Sequence, residues 1–113
     1  MKKILIILVL SLLVSGCSSS SKEDNWEDHM VEGEYIIVDV RTSEEYNVEH
    51  LSGAINIPYD EIDENVKLDK SKTIYVYCRS GARSEVAFNT LKNLGYKVYD
   101  LGAFSEIDLP KEK

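Results

Sequence analysis

The nine residues Val76 to Ser84, V-Y-C-R-S-G-A-R-S, end an apolar run on one cysteine and follow it with two arginines, two serines and a glycine. A cysteine attacks only as the thiolate, and a free thiol with a pKa of about 8.5 must be acidified to populate that form at neutral pH. The loop holds the means. Gly81 permits a positive φ in a tight turn, successive N–H groups of such a turn can point inward as an anion nest, and a following helix adds the positive end of its dipole. Arg79 and Arg83 bring formal charge. The stretch reads as a thiolate nucleophile, Cys78, inside a cradle of Arg79, Ser80, Gly81, Ala82, Arg83 and Ser84. The same cradle suits an oxyanion such as a sulfonate, sulfite or phosphate group. The plainer alternative is an inert cysteine closing a core strand, common for a residue that packs like a small hydrophobe. Position and loop composition together favour the reactive cysteine.

Such a loop needs a strand to deliver Cys78 and a helix to receive the chain after it. Thr73 to Tyr77 is apolar and β-rich and supplies the strand. From Ser84 to Leu94, Ala87, Phe88, Leu91 and Leu94 recur at helical spacing, with Gly95 at the C-terminal cap. Upstream, Tyr35 to Val40 reads as a strand buried on both faces. Thr42-Ser43-Glu44-Glu45 then forms a capping box opening a short helix to about Val48. Ala54 to Ile57 is a further short strand between Gly53 and Pro58, Asp60 to Val66 an acidic helical turn, and Lys97 to Leu101 a last strand. A helix over Trp26 to Val31 leaves little room for another edge strand before Tyr35. Strands alternating with helices predict an α/β fold of three layers, α/β/α, around a central parallel sheet of four or five strands. In such a sheet ligands bind beyond the carboxyl ends of the strands, where Cys78 falls.

The first seventeen residues read as an address. Lys2 and Lys3 form a basic start, Ile4 to Val14 an apolar run of eleven, and Val14-Ser15-Gly16 places small residues before Cys17. Eleven residues rise about 17 Å as a helix, short of a hydrocarbon core of roughly 30 Å, which disfavours a spanning segment. The pattern resembles a bacterial lipoprotein signal peptide, and that resemblance implies cleavage before Cys17 and a lipid on its sulfur. An ordinary secretory signal with an incidental Cys17 is the plainer alternative. The expected organisation is a signal peptide over 1–16, a lipidated polar tether over 17–25 and one domain over 26–113, anchored to the cell membrane and facing away from the cytoplasm. Cys78 then has no intramolecular disulfide partner, because Cys17 is already alkylated.

Net charge is −7 across 113 residues, with 43% hydrophobic residues and two prolines. That composition fits one small globular domain. No basic stripe is present to neutralise phosphates, so nucleic acid is not an expected partner. Two separated histidines and one thiol lack metal-ligand spacing. Asp39 and Arg41 are expected to make structural hydrogen bonds near the sheet's carboxyl edge, and His50 a buried structural bond. His29 carries no signal. Tyr75, Tyr77, Tyr96 and Tyr99 are expected as aromatics at the core's edge.

Asp39-Val40-Arg41-Thr42, then Glu49-His50-Leu51-Ser52-Gly53-Ala54-Ile55-Asn56-Ile57-Pro58, then Tyr77-Cys78-Arg79-Ser80-Gly81-Ala82-Arg83-Ser84 closely resemble a single-domain rhodanese, and Leu91 to Tyr96 is similar to that family's following helix and turn. The resemblance runs over about residues 26 to 110. It implies sulfur transfer without a cofactor: Cys78 takes sulfane sulfur from a donor anion such as thiosulfate, holds it as a persulfide and passes it to a thiol or cyanide. It implies that the amides from Arg79 to Ser84 stabilise the sulfur anion, that Arg79 or Arg83 binds the donor's anionic end, and that Asp39, Arg41 and His50 support the site. A protein can also serve as sulfur donor or acceptor in this family. Two other functions stay open. One is a non-catalytic binding or sulfur-relay module. The other is a cysteine-dependent phosphatase, disfavoured because related phosphatases place five residues between cysteine and arginine, and here there are four. Gly102-Ala103 and Ile107 depart from the family's Gly-Gly and later Trp, which bears on the packing of the C-terminal segment and the wall it lends the pocket.

Overall fold

A computed structural model describes residues 26–113; the expectations for the signal peptide and tether lie outside the described residues. Strands β1 (Tyr35–Asp39), β3 (Ile55–Asn56), β4 (Thr73–Cys78) and β5 (Val98–Ala103) form one sheet in the order β3-β1-β4-β5. Every pairing in it is parallel. A two-residue antiparallel pair joins β2 (His50–Leu51) to β6 (Lys111–Glu112), with His50 opposite Glu112. Helix α1 (Ser43–Val48) follows β1, and α2 (Ala82–Asn93) connects β4 to β5. The sheet thus has four strands, the lower of the two expected numbers.

Period-two side-chain alternation along β4 builds both cores. Ile74, Val76 and Cys78 join Val38, Val40, Ala87 and Leu91 in the cluster under α2. Tyr75 and Tyr77 point the other way, into a cluster with Ile37, Leu51 and Ile107 that Trp26, Tyr46 and Phe104 flank. Tyr75 and Tyr77 have no exposed surface, so they are central to that core rather than at its edge. Their rings find aromatic neighbours, Tyr75 beside Trp26, Tyr35 and Tyr99, and Tyr77 beside Phe104. Their hydroxyls are also bonded, as buried tyrosines require.

Local signals hold where they are complete. Thr42 Oγ1 accepts from Glu45 N at 3.2 Å while Glu45 Oε1 accepts from Thr42 N at 3.1 Å, the reciprocal bonds of a capping box. Gly95 takes a φ of +97° just after α2. Two acidic segments differ from expectation. The run from Asp60 to Val66 is helical only at its start. One 3-10 turn covers Tyr59–Glu61, Ile62 turns inward, and the Asp63 carboxylate accepts from Asn65 N at 2.9 Å, a side-chain bond that competes with helix. The N-terminal helix is likewise a single 3-10 turn, Trp26–His29.

Ile107, in the place of the family's tryptophan, is buried and packs with Tyr77 and Leu51. The C-terminal segment is therefore seated on the sheet despite the substitution.

Candidate active site

Cys78 ends β4, buried between the two strands that neighbour β4 and the first turn of α2. The next residues must reverse direction within a few bonds. Gly81 does this with a φ of +104°, in the left-handed region where a side chain is strained. Its N–H donates to Cys78 Sγ at 2.9 Å. Burial alone would raise the thiol's pKa. Bonds from the Ser84 hydroxyl and from the amides of Ser84, Gly81 and Ser80 outweigh it and hold the pKa below its ordinary value.

The six loop residues divide by role. Ser84 is fully buried against Cys78, and its hydroxyl also lies 3.0 Å from Gly81 O. Ser80 and Ala82 are exposed at the rim. Arg83 is held by α1: Nη1 and Nη2 bond the two carboxylate oxygens of Glu45 at 3.0 and 3.3 Å. That pairing pulls the Glu45 pKa down to about 2 and raises that of Arg83, which the nearby Cys78 charge raises further. Arg79 is exposed and has no ion pair among the described residues.

Behind the loop lies a buried ion pair. Asp39, without exposed surface, accepts Arg41 Nη2 at 2.6 Å and Nε at 2.9 and 3.0 Å through its two oxygens, and Arg41 N at 2.9 Å. Tyr77 Oη donates to Asp39 Oδ2 at 2.7 Å and accepts from Leu51 N at 3.0 Å. Arg41 Nη2 also donates to Glu49 O at 2.6 Å. No buried side-chain polar atom lacks a partner among the described residues, which is the condition for burying such a pair. Burial opposes the Arg41 charge, yet its bonds to Asp39 raise its pKa. Burial likewise raises that of Tyr77, so the network keeps its protons across the working range. Asp39 and Arg41 therefore shape the strand ends and do not touch Sγ.

His50 is also structural. Its ring stacks on Tyr46 with centroids 3.8 Å apart, Nδ1 lies 2.8 Å from Tyr46 O, and Nε2 lies 3.2 Å from Glu112 Oε2.

An open cavity of about 400 Å³ adjoins the loop, lined by Arg41, Glu45, Val48, Arg79, Phe104 and Ser105. Cys78 itself is covered and does not reach this lining. Sequence reasoning missed Glu45 as the partner of Arg83, and missed Tyr77 and Phe104. The capping box marked Glu45 for α1 alone, and no local pattern gives its distance to a residue 38 positions later.

A family profile described as a rhodanese-like domain matches residues 23–107, and one described as a prokaryotic membrane lipoprotein lipid attachment site matches residues 1–18. The chain is 41% identical over 80 residues to the thiosulfate sulfurtransferase PspE of Escherichia coli, covering 67% of this chain and 77% of that protein. It is 42% identical over 62 residues to the putative sulfur carrier protein YrkF of Bacillus subtilis, covering 54% of this chain and 34% of that one. Among solved structures, a rhodanese with anions from E. coli superposes with a TM-score of 0.64 at 38% identity, covering 70% of this chain and 98% of that one.

Proposed function

Because the chain belongs to the rhodanese-like family and carries a lipoprotein attachment site, we propose that it is a membrane-anchored sulfurtransferase that carries sulfane sulfur on Cys78. The observation that carries the reading is the Cys78 sulfur, held by the Gly81 amide at 2.9 Å at the head of α2 with its pKa lowered. The Cys78 thiolate attacks the outer sulfur of thiosulfate. The sulfur–sulfur bond of the donor breaks, sulfite leaves with the electron pair, and the outer sulfur stays on Sγ as a persulfide. An acceptor thiolate or cyanide then takes that sulfur, and the pair of the second broken bond returns to Sγ. The loop amides stabilise the thiolate at the start and at the end, and Arg79 meets the donor's sulfonate. Because Cys78 is buried, the donor reaches Sγ only when its cover gives way.

In this reading lipid is attached at Cys17, residues 1–16 are removed, residues 17–25 tether the domain of 26–113, and the domain faces outward from the membrane. A thiosulfate-like anion is the donor, the sequence kinship with PspE supporting that choice. The phosphatase alternative fits less well, since Arg83 is committed to Glu45 and the loop is one residue short of that chemistry.

The test uses the full chain incubated with thiosulfate, followed by intact mass and by thiocyanate release on adding cyanide. A gain of one sulfur atom with turnover, both absent in Cys78→Ser, is expected. No adduct on a folded chain with a reduced thiol would refute the thiosulfate reading in favour of a relay module.

A further inference from the structure

The chain beyond Ile107 is held to the domain by few bonds. Ile107 is buried and Leu109 packs partly into the same core cluster, but both residues of β6 are exposed. β6 meets β2 over two residues, His50 opposite Glu112 and Leu51 opposite Lys111, and Ser52 N donates to Pro110 O at 2.8 Å. A ladder that short is not stable by itself, so the side chains that tie it down decide whether it stays. Two of them do so among the described residues. Lys111 Nζ donates to Ile107 O at 2.9 Å and lies 5.2 Å from the centre of the Phe104 ring. Glu112 Oε2 lies 3.2 Å from His50 Nε2.

The second tie holds only while His50 is charged. The imidazole is buried and stacked on Tyr46, the ring planes 8° apart and the centroids 3.8 Å apart, which fixes the directions of its two nitrogens. Nδ1 lies 2.8 Å from Tyr46 O, and Nε2 faces Glu112 Oε2. A carbonyl and a carboxylate only accept, so both nitrogens must donate, and an imidazole with two N–H groups is the cation. When one proton leaves, Nδ1–H stays with the carbonyl and Nε2 turns a lone pair toward a carboxylate oxygen. No other charged group around the ring takes over. On α1, Glu45 is bound to Arg83. Arg41 on β1 is turned to Asp39 and Glu49 O, Tyr77 on β4 to Asp39 and Leu51 N, and Lys111 on β6 to Ile107 O. Glu49 and Lys113 flank the pair in sequence, and neither side chain bonds the ring. Glu112 is 51% exposed, so the strap moves and the ring stays.

We propose that His50 is a proton-operated latch: its imidazolium holds the C-terminal strap, residues 108–113, on β2, and loss of the proton as pH rises releases the strap and loosens the Phe104 wall beside Cys78. Histidine ordinarily changes charge between about pH 5 and 8. Phe104 carries the release to the active site. Its ring stacks on Tyr77 and lies between two cations, the Arg41 guanidinium 4.4 Å and Lys111 Nζ 5.2 Å from its centroid. It follows Ala103, which pairs with Cys78 across the sheet. When the strap leaves, Lys111 leaves the ring with it. The cover over Cys78 is therefore tighter in acid than in mild alkali, whatever group the sulfur carries.

Amide hydrogen exchange in the full chain, corrected for its intrinsic pH dependence, tests the latch at about pH 5 and about pH 8. The Ser52 amide reports on the strap, because it donates to Pro110 O. Its protection is expected to fall about fivefold at the higher pH, the swing that a partly exposed ion pair supports. A glutamine amide donates as well as accepts, so Glu112→Gln satisfies Nε2 in either state and is expected to show equal protection at both. The rate of Cys78 alkylation by iodoacetamide, wild type divided by Glu112→Gln, cancels the thiolate titration common to both. That ratio is expected near one in acid and severalfold above one in alkali. The other histidine, His29, stacks on Tyr99, and His29→Gln is expected to behave as wild type. Equal protection in the wild type at both pH values overturns the proposal. So does a pH dependence that survives Glu112→Gln or vanishes in His29→Gln, or an alkylation ratio of one throughout.

Discussion

Replacing Ser84 by alanine is expected to raise the Cys78 pKa by about one unit. The Ser84 hydroxyl lies within reach of Cys78 Sγ and of Gly81 O, and it has one proton to give. With a neutral thiol that proton rests on the carbonyl; a thiolate draws it to sulfur. The bond is thus made to the charged form only, the condition for a full effect on pKa. A hydrogen bond to a charged group contributes about 1.5–3 kcal/mol, sulfur lies at the weak end, and about 1.36 kcal/mol corresponds to one unit. Removal of a donor to the anion shifts the midpoint upward. The structural cost is small, because Glu85 N still donates to Gly81 O at 3.1 Å. The assay is the rate of alkylation of Cys78 by iodoacetamide against pH in the full chain. Below both midpoints the variant reacts about tenfold more slowly, in proportion to its smaller thiolate fraction; above both midpoints the rates converge. An unmoved midpoint would refute the argument, and so would a rate deficit that persists unchanged at high pH.

Asp39→Ala leaves Arg41 buried without its counter-charge and is expected to cost about 3–5 kcal/mol, a large share of a total near 5–15 kcal/mol; a urea midpoint close to wild type would contradict it. Glu45, held near pKa 2 by Arg83 against an ordinary 4.5, contributes stability that is present above about pH 4.5 and lost as pH falls toward 2. Glu45→Gln is therefore expected to be less stable than wild type at pH 7 and to match it near pH 2, and denaturant midpoints showing the same gap at both would count against the ion pair. Protein recovered from bacterial membranes is expected to begin at a lipid-modified Cys17 by mass spectrometry, with no lipid mass on Cys17→Ser; an unmodified Cys17 in the membrane-bound wild type would exclude the proposed anchor.

The parts of the site visible in the sequence are those whose partners lie within a few residues. Gly81 is forced by a turn between adjoining elements, and Thr42 and Glu45 cap one helix start. The apolar run from Thr73 to Tyr77 marked β4 as the strand that delivers Cys78 but not what its aromatic side meets. Tyr77 receives Leu51 N and donates to Asp39, contacts across 26 and 38 residues that depend on how β1 and β4 align. Phe104 enters the cavity because β5 shifts register between Val76 and Tyr77 of its partner and then turns into a 3-10 segment, a geometry without a local signature. The acidic run after Pro58 misled for the opposite reason. Its composition allows helix, but Asp63 satisfies backbone locally and stops it.

The order of strands across the sheet sets a timetable for a chain that emerges from the ribosome N-terminus first. β1 lies between β3 and β4, and β4 between β1 and β5. Both neighbours of β1 are made after it, and β5 is the last strand of the sheet to emerge. Pairing across such separations pays loop closure before contacts reward it, so a growing chain gains little by folding early. Until the sheet has formed, Cys78 lacks its cradle and is an ordinary, weakly acidic thiol. Reactivity is thereby deferred until the sheet closes around it.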